Sequence, residues 1–75
     1  MTEFRNGSGE TTRIGYVNKN GQECLGTRGR PGNSAGQKAY KIYCLKCGHL
    51  YGANGFDIFE RKCPKCQNGA AGLEF

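Results

Sequence analysis

The chain has 75 residues, of which 36% are hydrophobic and thirteen are glycine, with no tryptophan and a formal charge of +5. That length limits it to one small domain, which buries only roughly 60% of its unfolded surface and usually needs a staple. No run approaches the ~20 apolar residues of a membrane span. Residues 1–10 are polar and lack the apolar stretch of a secretory signal, so no membrane partner and a reducing intracellular compartment, cytoplasmic or nuclear, are expected.

In chain order, residues 1–12 read as a flexible arm, because Asn6-Gly7-Ser8-Gly9 has linker composition. Residues 13–37 read as a β-hairpin followed by a basic Gly-rich loop. The hairpin's first strand is placed at residues 13–17 and its return at 22–25. The Asn20-Gly21 pair marks the turn, since both residues tolerate positive φ. The loop, residues 26–37, carries Arg28-Gly29-Arg30-Pro31 and offers nothing to a core. Residues 38–43 alternate polar and apolar as a strand does, with Lys38 and Lys41 assigned to its polar face. A strand over residues 49–51, a second Asn-Gly turn at Asn54-Gly55 and an extended segment over 56–62 follow, with Phe56, Ile58 and Phe59 as core. Leu73 and Phe75 in the tail are apolar enough to fold back. No window holds the 3.6-residue period of a long amphipathic helix.

The strongest signal is Cys44-x2-Cys47, fifteen intervening residues, then Cys63-Pro64-x-Cys66. Each C-x2-C turn brings two sulfurs to one ion, and two such turns supply a tetrahedron, most often around structural zinc. Gly48 is placed where a positive φ closes the first turn, and Pro64 pre-sets φ in the second. With four protein ligands the ion keeps no open position, so hydrolytic metal chemistry is not expected. One Zn2+ is the expected cofactor; iron, as a one-electron carrier, is the alternative. In so glycine-rich a chain the metal is expected to be the largest source of stability, on the order of 10 kcal/mol.

Residues 40–66 resemble the zinc-ribbon family and the short rubredoxin-like domains of rubrerythrins. The matching residues are Cys44, Cys47, Gly48 and Tyr51, then Cys63, Pro64 and Cys66. The resemblance implies a small antiparallel sheet with the metal between two knuckles, residues 38–75 forming the ribbon region. Gln67 stands where these families usually place glycine, and Asn68-Gly69 is the candidate to take over that turn. The fold class expected is a small metal-stabilised all-β domain: a zinc ribbon with an N-terminal β-hairpin and a basic Gly-rich loop.

The fifth cysteine, Cys24, reads as a small, partly buried hydrophobe, with an external ligand or a redox-reactive thiol as alternatives, the latter disfavoured by Glu23. His49 is not needed as a ligand. Residues 11–50 hold seven Lys/Arg against one acid, Glu23, a balance that points to a polyanionic partner. Lys46, Arg61, Lys62 and Lys65 are placed to offset the thiolate charge. Arg28-Gly29-Arg30-Pro31 resembles the AT-hook core, which implies Arg28 and Arg30 entering an A·T-rich minor groove; general phosphate contact or a solvated loop are the alternatives. Tyr16, Tyr40, Tyr43 and Tyr51 lie among basic residues, as stacking platforms or as bulk for a Trp-free sheet.

No paired-carboxylate, Ser/His/Asp or phosphate-loop constellation is present, so no enzymatic activity is expected. The leading expectation is a monomeric zinc-ribbon module binding nucleic acid, DNA ahead of RNA, with Arg28, Arg30, Lys38, Lys41, Arg13 and Tyr40 as contacts. A protein-interaction adaptor or small subunit of a larger complex is the alternative, and a rubredoxin-like iron carrier the third reading.

Overall fold

Two fully buried isoleucines, Ile42 and Ile58, are the largest apolar side chains with no exposure. At about 1.5–3 kcal/mol each, such burial cannot offset a backbone ordering cost of about 1–2 kcal/mol per residue over the whole chain. The architecture that results is a sheet with a metal-type cluster at one end. The computed structural model describes residues 4–32 and 36–75; residues 33–35 of the expected loop and 1–3 of the expected arm lie outside them.

Strands β1 (Gln22–Cys24), β2 (Ala39–Cys44) and β3 (Leu50–Asn54) form an antiparallel sheet in the order β1-β2-β3. The register pairs Cys24 with Ile42 and Ile42 with Tyr51, which brings core side chains onto one layer. Around Ile42 gather Cys24, Tyr40, Tyr51, Ala53 and Ile58, with Tyr16 packed against them. The fold is thus small and all-β, carrying a tetra-cysteine cluster, as the sequence indicates. No helix of the described residues is long and apolar enough to cross a membrane.

Four local expectations are corrected. Residues 13–17 close the hairpin through Cys24 N to Tyr16 O (2.8 Å), Gly15 N to Cys24 O (2.9 Å) and a Val17–Glu23 bridge. They do not form a continuous strand, because Gly15 adopts φ +97° and turns the backbone out of the ladder. β3 runs on through Asn54, whose backbone is extended, so no turn occurs at Asn54-Gly55. Residues 55–60 form a 3₁₀ helix (Gly55–Glu60) rather than an extended segment. Of its three apolar residues only Ile58 is buried; Phe56 and Phe59 are 55% and 51% exposed. Three residues per turn place positions 56 and 59 on one side, and Ile58 on another.

The N-terminal stretch is paired with the body from Phe4 onward, not detached from it. Arg5 and Thr27 exchange backbone hydrogen bonds at 2.9 Å each. Residues Glu10–Thr12 form a 3₁₀ turn, and the Thr12 hydroxyl both donates to Gly9 O and accepts from Gly9 N. The basic loop likewise continues the sheet. Leu25 N bonds Lys41 O, Lys41 N bonds Gly26 O and Ala39 N bonds Arg30 O, all within 2.8 Å. Thr27 is buried there, its hydroxyl donating to Ala39 O. The tail does fold back: Leu73 N donates to Gly52 O at 2.8 Å, and the Phe75 ring lies 6.3 Å from that of Phe4.

Candidate metal centre

β2 delivers Cys44 at its C-terminal end, and the turn to β3 carries Cys47. Gly48 closes that turn at φ +81°, with its N–H donating to Cys44 O at 2.8 Å. The second knuckle follows the 3₁₀ helix. Gln67 N and Gly69 N both donate to Cys63 O, and Asn68 takes the left-handed position at φ +57°. Asn68 thus does what a glycine does elsewhere; its short polar side chain makes that conformation tolerable.

The four Sγ atoms of Cys44, Cys47, Cys63 and Cys66 lie within 4.8 Å of one another. Across the knuckles, Cys44–Cys66 and Cys47–Cys63 are each 3.6 Å apart. Metal–sulfur bonds of about 2.3 Å in a tetrahedron give edges near 3.8 Å. The spacing therefore fits one tetrahedral ion and is far longer than the ~2.05 Å of a disulfide. Cys44 and Cys63 are buried, while Cys47 and Cys66 face solvent. The four cysteines are positioned to bind one metal ion as a zinc-ribbon-like pair of knuckles. Bound there, a divalent ion supplies cross-linking and charge neutralisation.

The donor set also behaves electrostatically as a cation site. Burial opposes ionisation of Cys44, but the Gln22 amide and the backbone N–H groups of Cys47 and Lys46 outweigh it and bring its thiol down to about 6. Burial and the neighbouring cysteines push Cys66 up to about 12. Cys47 is raised as well: the backbone bond at His49 and the Cys66 thiol favour its thiolate, but burial and the Cys63 and Cys44 sulfurs prevail. Cys44 ionises readily while Cys47 and Cys66 are held protonated, a conflict that a shared cation removes.

Sequence reasoning missed the residues that orient this cluster. Gln22, wholly buried on β1, places Nε2 3.3 Å from Cys44 Sγ, 3.1 Å from Gln67 Oε1 and 3.0 Å from Asn20 O. Its Oε1 accepts from Tyr51 Oη at 2.8 Å. Gln67 in turn accepts from Cys63 N at 2.9 Å and donates to Asn20 O at 2.9 Å. The glutamine that departs from the family pattern therefore ties the second knuckle to the hairpin turn. Buried Asn18 fixes that turn to the 3₁₀ helix by donating to Ile58 O and Arg61 O, while its Oδ1 accepts from Asn20 N and Gln22 N. The one local signal available was the clustering of amide side chains at 18, 20, 22 and 67.

Other expectations resolve as follows. Cys24 is wholly buried and its thiol is raised, by burial first and by Glu23 as well, against a backbone bond from Gly26. His49 stands outside the cluster, its ring stacked 5.7 Å from that of Tyr51. Arg61 is buried over the Tyr51 ring and donates to Ala70 O and Ala71 O, so it pins the tail rather than facing the sulfurs. Burial chiefly pushes the Tyr51 hydroxyl up to about 12, with Arg61 opposing.

The sequence-predicted polyanion contacts separate into groups. Tyr40 is a core residue, 7% exposed, and presents no ring to the surface. Lys38 and Lys41 are not on one face, because three residues apart in an extended chain point to opposite sides. Lys38 is exposed; the Lys41 ammonium lies over the Phe4 and Phe75 rings, 5.0 and 5.6 Å from their centroids. Arg28 lies over Phe4, and Arg30 pairs with Glu74. Gly29 between them has φ +89°, so the stretch is bent and anchored, not the extended strip that minor-groove insertion needs. Arg13 is exposed beside a shallow hollow that it shares with residues 6–10. Compared with protein-family models, curated proteins and solved structures, the chain matches none.

Proposed function

We propose that this chain is a non-catalytic zinc-binding module of a reducing compartment that binds nucleic acid. Zinc is the reading of the four-thiolate set, and its closed coordination gives no position for a substrate. The observation that carries the nucleic-acid part is the gathering of cations at the Lys38 end of β2. Arg5 reaches Gly29, with its Nη2 3.6 Å from where a Cβ would stand; Arg28 and Lys41 share the Phe4 ring; Pro31 bridges to Lys38. Beside them Arg30 pairs with Glu74, itself 82% exposed and easily exchanged for a phosphate. Duplex DNA is the first partner to test, with contacts to phosphates rather than base edges.

The test is metal analysis of the purified chain with a titration of duplex DNA, single strands and RNA across a salt series. Binding whose logarithm falls by about 0.9 per phosphate neutralised is the expected result on duplex. Absence of affinity for every nucleic acid at low salt defeats the reading. A red, iron-containing product would replace zinc by an electron-carrier assignment.

A second reading, a protein-interaction adaptor, is favoured by Phe56 and Phe59, both more than half exposed on one side of the 3₁₀ helix. Co-purification of one stoichiometric partner that is lost on Phe56→Ser with Phe59→Ser supports it.

A further inference from the structure

The N-terminal segment does more than pair with Thr27. Between it and the Lys38 end of β2 lies a cleft of about 370 Å³ whose lining includes Arg5, Asn6, Ser8, Gln37 and Lys38 and, among the described residues, no Asp or Glu. We propose that this cleft is a binding site for a phosphate group, with Arg5 and Lys38 supplying charge and Asn6, Ser8 and Gln37 supplying neutral donors. The inference deepens the nucleic-acid reading and rests on it for the source of the phosphate, but not for the chemistry of the site.

The argument lies in which donors are already committed. Asn6 Oδ1 accepts from Ile14 N at 2.7 Å, and Gln37 Oε1 accepts from Phe56 N at 3.3 Å. A backbone N–H can only donate, so it fixes each amide with its oxygen inward and leaves its NH2 to donate elsewhere. The threonine hydroxyls of the lining are occupied: Thr12 bonds Gly9, and Thr27 bonds Ala39 O and Gly29 N. Ser8 is exposed with its hydroxyl uncommitted. Neither Arg5 nor Lys38 is ion-paired among the described residues. The described residues of the cleft therefore offer cations and N–H or O–H donors and no carboxylate among them, the complement of a phosphate's acceptor oxygens. Its volume stands at the small end of ligand sites, enough for a phosphate with its attached sugar. Tyr40 and Gly55, both buried, line it as well and give those groups a rigid backing.

The test uses the zinc-loaded full chain and amide NMR. Inorganic phosphate, a nucleoside 5′-monophosphate and a short duplex are titrated separately. Shifts at Gly7, Ser8, Gln37 and Lys38 are expected, weakened about tenfold or more by Gln37→Glu. That change keeps the oxygen for Phe56 N while putting a carboxylate where the NH2 was. Arg5→Ala with Lys38→Ala is expected to abolish the shifts, both side chains being exposed. Cleft shifts with the duplex assign the phosphate to nucleic acid. Cleft shifts with the small phosphates alone keep the site and remove the nucleic-acid reading. A duplex that binds but perturbs only the knuckle lysines overturns the cleft and leaves that reading standing. No cleft shift with any phosphate, or shifts indifferent to Gln37→Glu, also overturns the inference.

Discussion

At the Cys44 end of β2, amide side chains tie both knuckles to the hairpin turn: Gln22 and Asn18, which are buried, and Gln67 and Asn20, which are half-buried, are linked by hydrogen bonds. At the Ala39 end, the same strand is dressed by contacts of another kind, with Lys41 over two phenylalanine rings and a half-exposed Arg30–Glu74 pair. The first set is directional and desolvated, so losing one member leaves others unsatisfied. The second consists of pieces worth about 1 kcal/mol or less each. Shape is thus secured at one end, while the other can exchange its partners, and that is where the uncommitted cations sit.

The sharpest way to break this contrast is to take the ion away. Chelation under reducing conditions, or Cys63→Ser, is expected to remove a stabilisation on the order of 10 kcal/mol. Loss of amide NMR dispersion across the whole chain is the readout; dispersion that persists would mean the sheet holds itself. Acid acts through the same sulfurs. Cys47 and Cys66 are raised and hold protons at neutral pH, so both protons must leave on loading. Metal affinity should therefore rise with pH, by about a hundredfold per unit or more, since these two thiols alone release two protons. It should collapse as pH falls through about 6, where Cys44 also protonates. A chelator competition from pH 8 to 5 measures the slope.

Gln22→Ala comes next. It deprives Tyr51 Oη of its acceptor and Cys44 Sγ of a donor. About 1–3 kcal/mol of stability and roughly 10- to 100-fold in metal affinity are expected to go. Arg30→Ala, at the far end, should cost about 1 kcal/mol or less and leave metal affinity unchanged. Should Arg30→Ala loosen the metal as much as Gln22→Ala does, the two ends are one cooperative unit and the contrast is wrong.

The knuckles were legible because their requirements are local: ligand spacing, and a residue able to take positive φ at Gly48 and at Asn68. The 3₁₀ helix was not. Phe56 and Phe59 look like core in a sequence, and only the packing of Ile58 beneath the sheet shows that they face outward. Lys38 and Lys41 were misread together because Ala39 and Tyr40 are both buried, which breaks simple alternation where the loop joins the strand. Gln22 gave no signal beyond its place among neighbouring amides, since its partners Tyr51 and Gln67 are brought to it by folding alone. The basic loop's pairing along β2 was hidden for a related reason. It runs through backbone groups, which composition does not report.

The bridge between Leu73 and Gly52 has a consequence for solution behaviour. The outer side of β1 meets residues 15–17 and that of β3 meets Leu73, so neither flank offers a ready template on which a second chain could add a strand. The close approach depends on a missing methyl: a Cβ at Gly52 would stand 2.5 Å from Leu73 O. Gly52→Ala should peel the last residues away and open that flank to strand addition by a second chain, visible as light scatter that grows on standing.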